Sequence, residues 1–269
     1  MKDIRTEQYP RGRNLQILDK PHFSSMIASA ITARMEMLNR AMKHMQPGTP
    51  PPIGPTEEMV RLTALAKEIR QCRICIEHPD KGRALCHAPR PVFQLSASAR
   101  ICIAGQAPGI RAHESGIPFS DPSGVRLRQW LDIGEDIFYD ARRIAILPMG
   151  FCFPGFDAHG GDLPPRPECA RTWHAQLMAH LPHLQLLLLV GGHAQRWHLR
   201  RLHAAKELTR LGVNDTVMHW RSIYDSPAFT PRCIPLPHPS WRNSGWLNRN
   251  PWFESELLPE LRQAVRALL

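Results

Sequence analysis

Four short apolar runs decide what this chain can fold into: RICIAG at 100–105, RIAILPMG at 143–150, LQLLLLVGG at 184–192 and CIPLPHP at 233–239. Each is continuous rather than alternating, so each reads as a strand buried on both faces. The stretches 124–132, 169–181, 193–210 and 254–268 read as helices that separate or flank the runs. Together they predict an α/β fold, a three-layer α/β/α sandwich around a central, mainly parallel four-stranded sheet. In such a sheet ligands bind beyond the carboxyl ends of the strands. Three of the four runs end in a Gly or Pro loop, which is where chemistry is expected.

Ahead of these runs, Ile27, Ile31, Met35 and Leu38 recur at helical spacing within 24–46, with a serine available as N-cap. Five prolines then follow (Pro47, Pro50, Pro51, Pro52, Pro55), the composition of an extended spacer. Residues 1–55 are therefore an expected appendage and 56–269 the expected domain. Thr56, Glu57 and Glu58 read as a helix start, with acids set against the helix dipole. No stretch of eighteen uncharged apolar residues is present, and the N-terminus has no apolar signal core. A cytoplasmic protein without a membrane partner is the expectation. The formal net charge of +10 directs attention to polyanions, although a merely solubilising surface gives the same number.

The loop after the first run, GQAPGIRAHESGIPFSDPSG at 105–124, begins with two glycines that let the backbone turn sharply and approach a ligand. Neither a Walker loop nor a G-x-G-x-x-G fingerprint is present, which disfavours a triphosphate or dinucleotide. Phe119, on a stiff proline-flanked loop, is either a stacking platform or a core plug. Ser123 or Asp121 caps the following helix. The loop after the last run is PLPHPSWRNSGW. His238 is held between two prolines there, and Ser240, Trp241, Arg242, Asn243 and Trp246 follow. Aromatic, cationic and amide groups interleaved in this way suit a wedge that stacks on nucleic acid. The alternative is that the tryptophans anchor the core, as expected for Trp252 and Phe253.

The seven cysteines, in a chain expected inside the cell, do not read as disulfides. The pair Cys72 and Cys75 points to metal, redox chemistry or ordinary buried thiols. Cys102 and Cys233 lie within strands and are expected to be buried apolar residues.

The combination of GQAPG, the G-x-PF segment and SG with a late HPS resembles the uracil-DNA glycosylase superfamily, most closely its family-4 type, over roughly residues 58–269. Such enzymes carry a 4Fe–4S cluster on a C-x2-C pair followed, after a long gap, by two further cysteines. The resemblance assigns that role to Cys72, Cys75, Cys152 and Cys169, the last two within CFPG…PPRPEC. Spacing alone does not separate a cluster from tetrahedral zinc, and Cys86 is a rival ligand. DNA is the implied partner and a monomer the implied state. His238 would donate a hydrogen bond to the departing base and Phe119 would stack on it. The turn Gly105, Gln106, Ala107, Pro108 and Gly109 would lie against base and sugar and place the attacking water. Ser240 with Trp241, Arg242 and Asn243 would hold the strand and fill the gap.

Two departures from the family pattern stand out. The carboxylate that family-1 enzymes carry in GQDPY falls at Ala107; family-4 proteins also lack it, and Asp121 or Glu114 could polarise water instead. The asparagine with which family-4 enzymes read uracil falls at Pro148, which has no side-chain hydrogen-bonding group. A polar reader contributes discrimination of roughly 10⁴–10⁵, so the excised base is left open. The expected function is a DNA base-excision glycosylase for a flipped, deaminated or otherwise damaged base. The alternative is a binding relative that retains fold and cluster with little or no chemistry.

Overall fold

The computed structural model describes residues 55–80, 84–201 and 210–269, all within one compact unit that begins at Ile53. The expected helix at 24–46, the proline spacer up to 54 and the end of the 193–210 helix lie outside the described residues. All four expected strands form: β1 (Ile101–Ala104), β2 (Ile144–Ile146), β3 (Leu186–Val190) and β4 (Arg232–Leu236). They make one sheet in the order β2-β1-β3-β4, with every pairing parallel. Ile103 stands opposite Ile146 on one side and Leu188 on the other, so β1 is central.

Successive side chains on a strand point to opposite faces, and the core divides accordingly. Cys102, Ala104, Ala145, Leu187, Leu189 and Cys233 face one layer. That layer includes Leu62, Leu65 and Ile69 of α1 (Pro55–Arg70), Leu177, and Ala194 and Leu199. Ile101, Ile103, Ile144, Ile146, Leu186, Leu188, Val190 and Ile234 face the other. There they meet Leu127, Trp130 and Leu131, then Phe253, Leu257, Leu261 and Val265 of the C-terminal helical stretch. Both faces are covered, which is why the strands had to be apolar throughout. Cys102 and Cys233 are fully buried, and burial pushes each thiol up to about 12.

Connections set the position of the site. The chain steps from β1 outward to β2, crosses back to β3 on the other side of β1, and continues to β4. The direction of winding reverses between β1 and β3, which opens a crevice at their carboxyl ends. Short helices that periodicity did not reveal also form: α2 (Ile110–Ser115) and segments at 135–138, 213–218, 220–224 and 244–249. The helix expected from 124 starts earlier, as α3 (Pro122–Leu131), with Pro122 in its first turn. The 167–179 helix widens into a π turn at Ala170–His174, directly after Cys169. Among the described residues no helix is long and apolar enough to cross a membrane.

Leu188, fully buried at the centre of β3, tests this arrangement. Leu188→Ala should cost about 2–5 kcal/mol in urea unfolding, the usual range for a core leucine. A cost near zero would show that β3 is not a central strand.

Candidate active site

The turn after β1 lies at the crevice. Gly105 is buried, and Met149 and Gly150 donate backbone hydrogen bonds to the carbonyls of Gly105 and Gln106 at 3.0 and 2.9 Å. A side chain at 105 would stand 3.3 Å from the Phe119 ring and 3.9 Å from Pro148. Glycine at this position therefore brings Phe119 and Pro148 together over the sheet edge. The Gln106 side chain crosses to β3: its amide nitrogen lies 2.5 Å from where a Cβ of Gly191 would be, and Gly191 has φ +83°. Gln106 thus occupies the point at which the winding reverses, and its amide has no hydrogen-bond partner among the described residues.

Phe119 is half-buried, neither a plug nor a free ring. Its ring meets Phe138 edge-on, with centroids 6.2 Å apart. Its backbone takes φ +55°, uncommon for a bulky residue and a form of strain that needs external support. The Tyr139 hydroxyl donates to the Phe119 carbonyl at 3.2 Å. That carbonyl also presses so closely on Gly124 that no side chain fits there. Of the two expected caps, Asp121 takes the role: its Oδ1 accepts from Gly124 N–H at 3.1 Å. Ser123 is instead buried in the first turn. Glu114 is exposed on α2.

Pro148 sits in the crevice wall, fully enclosed, with its carbonyl already taken. His174 Nε2 lies 2.9 Å from it and must donate, since a carbonyl only accepts. The buried His174 is stacked at 5.3 Å on Phe151, and burial pushes its imidazole down to about 4.

His238 follows β4 on the same edge. Its Nδ1 accepts from the Ser240 backbone N–H at 3.2 Å, which places the ring proton on Nε2. Nε2 has no partner among the described residues. Desolvation lowers the affinity of His238 for a second proton, opposed by the Asp121 carboxylate. The imidazole is therefore neutral and a donor through Nε2 near pH 7. Asn243 does not extend outward, because its amide donates to the His238 carbonyl at 2.7 Å. Arg126 of α3 binds the Ser240 carbonyl and the Ser244 hydroxyl at 3.0 and 3.2 Å, locking the loop. Trp241 projects with 75% of its surface exposed, and Arg242 is exposed beside it. Trp246 differs, packing against Trp252 and Phe253 as a core anchor.

The cysteines separate in the same way. Cys72, Cys75, Cys152 and Cys169 line one small cavity with Ile69, Phe151 and Trp173, and Cys86 is exposed outside it. The Cys169 thiol bonds to Cys75, holding Cys75 down at about 7. Phe151 N–H donates to Cys169 Sγ at 3.5 Å, and burial pushes the Cys152 thiol up to about 12. Among the described residues no group of three or more His, Cys, Asp or Glu is placed to hold a metal ion.

Sequence reasoning missed Tyr139, Arg126 and His174, whose contacts are all non-local. It also missed Asp162, on the loop between Cys152 and Cys169. One Asp162 carboxyl oxygen lies 3.3 Å from where a side chain of Gly109 would begin. Within its own sequence, GGDLPP, nothing marks this residue out.

A family model described as "Uracil DNA glycosylase superfamily" matches residues 92–262. The match takes in all four strands and the loops after β1 and β4, and leaves out Cys72 and Cys75.

Gly124→Ala tests the placement of Phe119. Alanine favours a helix over glycine by about 1 kcal/mol, yet the collision with Phe119 should turn this into a loss of about 1–3 kcal/mol in thermal unfolding. A stabilised variant would mean that Phe119 is not held where described.

Proposed function

The chain belongs to the uracil DNA glycosylase superfamily, and from that premise we propose that it is a DNA base-excision glycosylase of the family-4, iron–sulfur type. The observation that carries this is the neutral His238, with Nδ1 engaged by Ser240 N–H and Nε2 left as a donor on the edge where Gly105 and Phe119 meet. Cleavage of an N-glycosidic bond sends an electron pair onto the base while the sugar becomes cationic. A donor that is already aimed and neutral strengthens its bond as that negative charge grows, which stabilises the transition state more than the substrate. Phe119 stacks on the flipped base. Trp241, exposed and apolar, fills the space the base vacates, and Arg242 meets backbone phosphate. Beside Phe119 a groove lined by Arg111, Ser120, Arg126 and Tyr139 continues the path of the strand.

For the four cysteines we propose a 4Fe–4S cluster, supported by the cavity that their side chains line together. Cys169 also receives a backbone N–H bond from Phe151. A cluster spreads its thiolates over several irons, whereas zinc draws four ligands onto one point at about 2.3 Å. The cluster would act structurally, tying α1 and the segment after it to both ends of the 152–169 loop.

Pro148 favours a second reading. It offers the base neither a side-chain donor nor a backbone N–H, and its carbonyl is bound to His174. Uracil itself is therefore not assigned as the substrate, and a binding relative with weak chemistry is the alternative. Labelled oligonucleotides carrying uracil, hypoxanthine, xanthine or an oxidised pyrimidine decide between these, using anaerobically purified protein. Cleavage of one base, reduced on the order of 10²–10³-fold by His238→Ala, is expected. Tight, salt-dependent binding without cleavage of any would establish the binding relative. Cys152→Ser should lose iron, visible colour and folding yield together; a colourless, fully stable variant would sink the cluster.

A further inference from the structure

Hydrolysis needs a water held against C1′ as well as a donor for the base, and the family-1 carboxylate position is Ala107. Gln106 has only an amide, which does not accept a proton near pH 7. Asp121 is engaged in capping α3. Asp157 is engaged too, accepting from His159 and Gly161 N–H at 2.8 Å each. Asp162 differs: its carboxylate has no hydrogen bond or ion pair among the described residues, and it faces the turn at Gly109.

Its placement is built rather than incidental. A β-bridge joins Phe156 to Asp162, Leu163 N–H donates to the Gly155 carbonyl at 2.9 Å, and Asp157 ties the tip of this small hairpin. The hairpin thus carries a carboxylate from the cysteine loop onto the ligand turn. A side chain at 109 would crowd that carboxylate, with its first carbon 3.3 Å from the oxygen.

We propose that Asp162 is the catalytic residue that holds the attacking water and takes its proton. The assignment rests on the glycosylase reading above. The water oxygen bonds to C1′ as the C1′–N bond breaks. The electron pair of that bond leaves with the base, which His238 hydrogen-bonds and solvent then protonates. The water proton passes to the Asp162 carboxylate and on to solvent.

The charged surroundings agree. Arg242 of the wedge loop faces Asp162 and favours its ionised form, while Asp121 and Asp157 oppose it. Asp162 is open to solvent at its outer side, yet desolvation of its carboxyl is the largest effect and raises its affinity for a proton. A carboxylate so disposed is a stronger base than a free surface aspartate.

The test uses the full chain with whichever oligonucleotide the wild type cuts. Asp162→Asn should lower kcat on the order of 10²-fold with KM changed by less than about twofold. Its melting temperature should be unchanged, because no internal bond is lost. The wild-type rate should rise with pH as Asp162 ionises, and this acid limb should vanish in Asp162→Asn; Asp162→Ser should behave alike. If the wild type cuts and both variants retain kcat within about threefold, or KM and melting temperature move together with kcat, the proposal is overturned while the glycosylase reading stands. If the wild type cuts none of the bases, both fall.

Discussion

The pairing of β1 with β3 is the constraint on which the site depends. These adjacent parallel strands are reached by connections of opposite direction, so their carboxyl ends diverge into an open crevice rather than closing under a helix. Gln106 bridges that crevice from β1 to Gly191 at the end of β3. Gly105, Phe119 and Pro148 form one wall, and the loop after β4 brings His238 to the same edge. Because the sheet is buried on both faces, its interior is rigid, and the variable chemistry is confined to these loops.

The loops are held by interactions that favour a fixed geometry over local comfort. Phe119 keeps an unfavourable positive φ because Tyr139 binds its carbonyl and Gly124 yields space to it. Strain of that kind costs on the order of 1–3 kcal/mol and persists only where the surroundings over-determine it. His238 is fixed likewise, with Ser240 setting its tautomer and Asn243 and Arg126 fastening the following turn. The His238 tautomer and the Phe119 ring are therefore fixed by the protein itself; in the proposed reaction such fixed groups would stabilise charge without reorganisation.

Pro148 and the cysteine loop shape this edge. Pro148 presents an enclosed ring, and the buried His174, in the π turn after Cys169, binds its carbonyl. The same loop brings Asp162 over Gly109. One segment, running from Cys152 to Cys169, thereby connects the cysteine cavity to the turn at Gly109.

Much of the fold was legible in the residues, because burial on both faces demands continuous apolar strands and four such runs were visible. The loops after β1 and β4 were legible for a related reason: glycine permits sharp turns and proline fixes the backbone wherever they occur. The short helices at 110–115, 135–138 and 213–224 were not, since pieces of four to six residues carry too little periodicity. Asp121 and Ser123 were equal as caps on paper, and only the entry of the chain through Pro122 selected Asp121. Trp241 and Trp246, five residues apart, could not be told apart until one projected into solvent and the other met Trp252 and Phe253. By itself the sequence determined a parallel α/β sheet, the turn at 105–109 and the loop that carries His238, all properties of local composition. Which side chains converge, with His238 protonated on Nε2, Phe119 strained over Gly105, four cysteines about one cavity and Asp162 above Gly109, was decided by tertiary structure. Those relations join residues far apart in the chain, and only the packing of the sheet edge brings them within bonding distance.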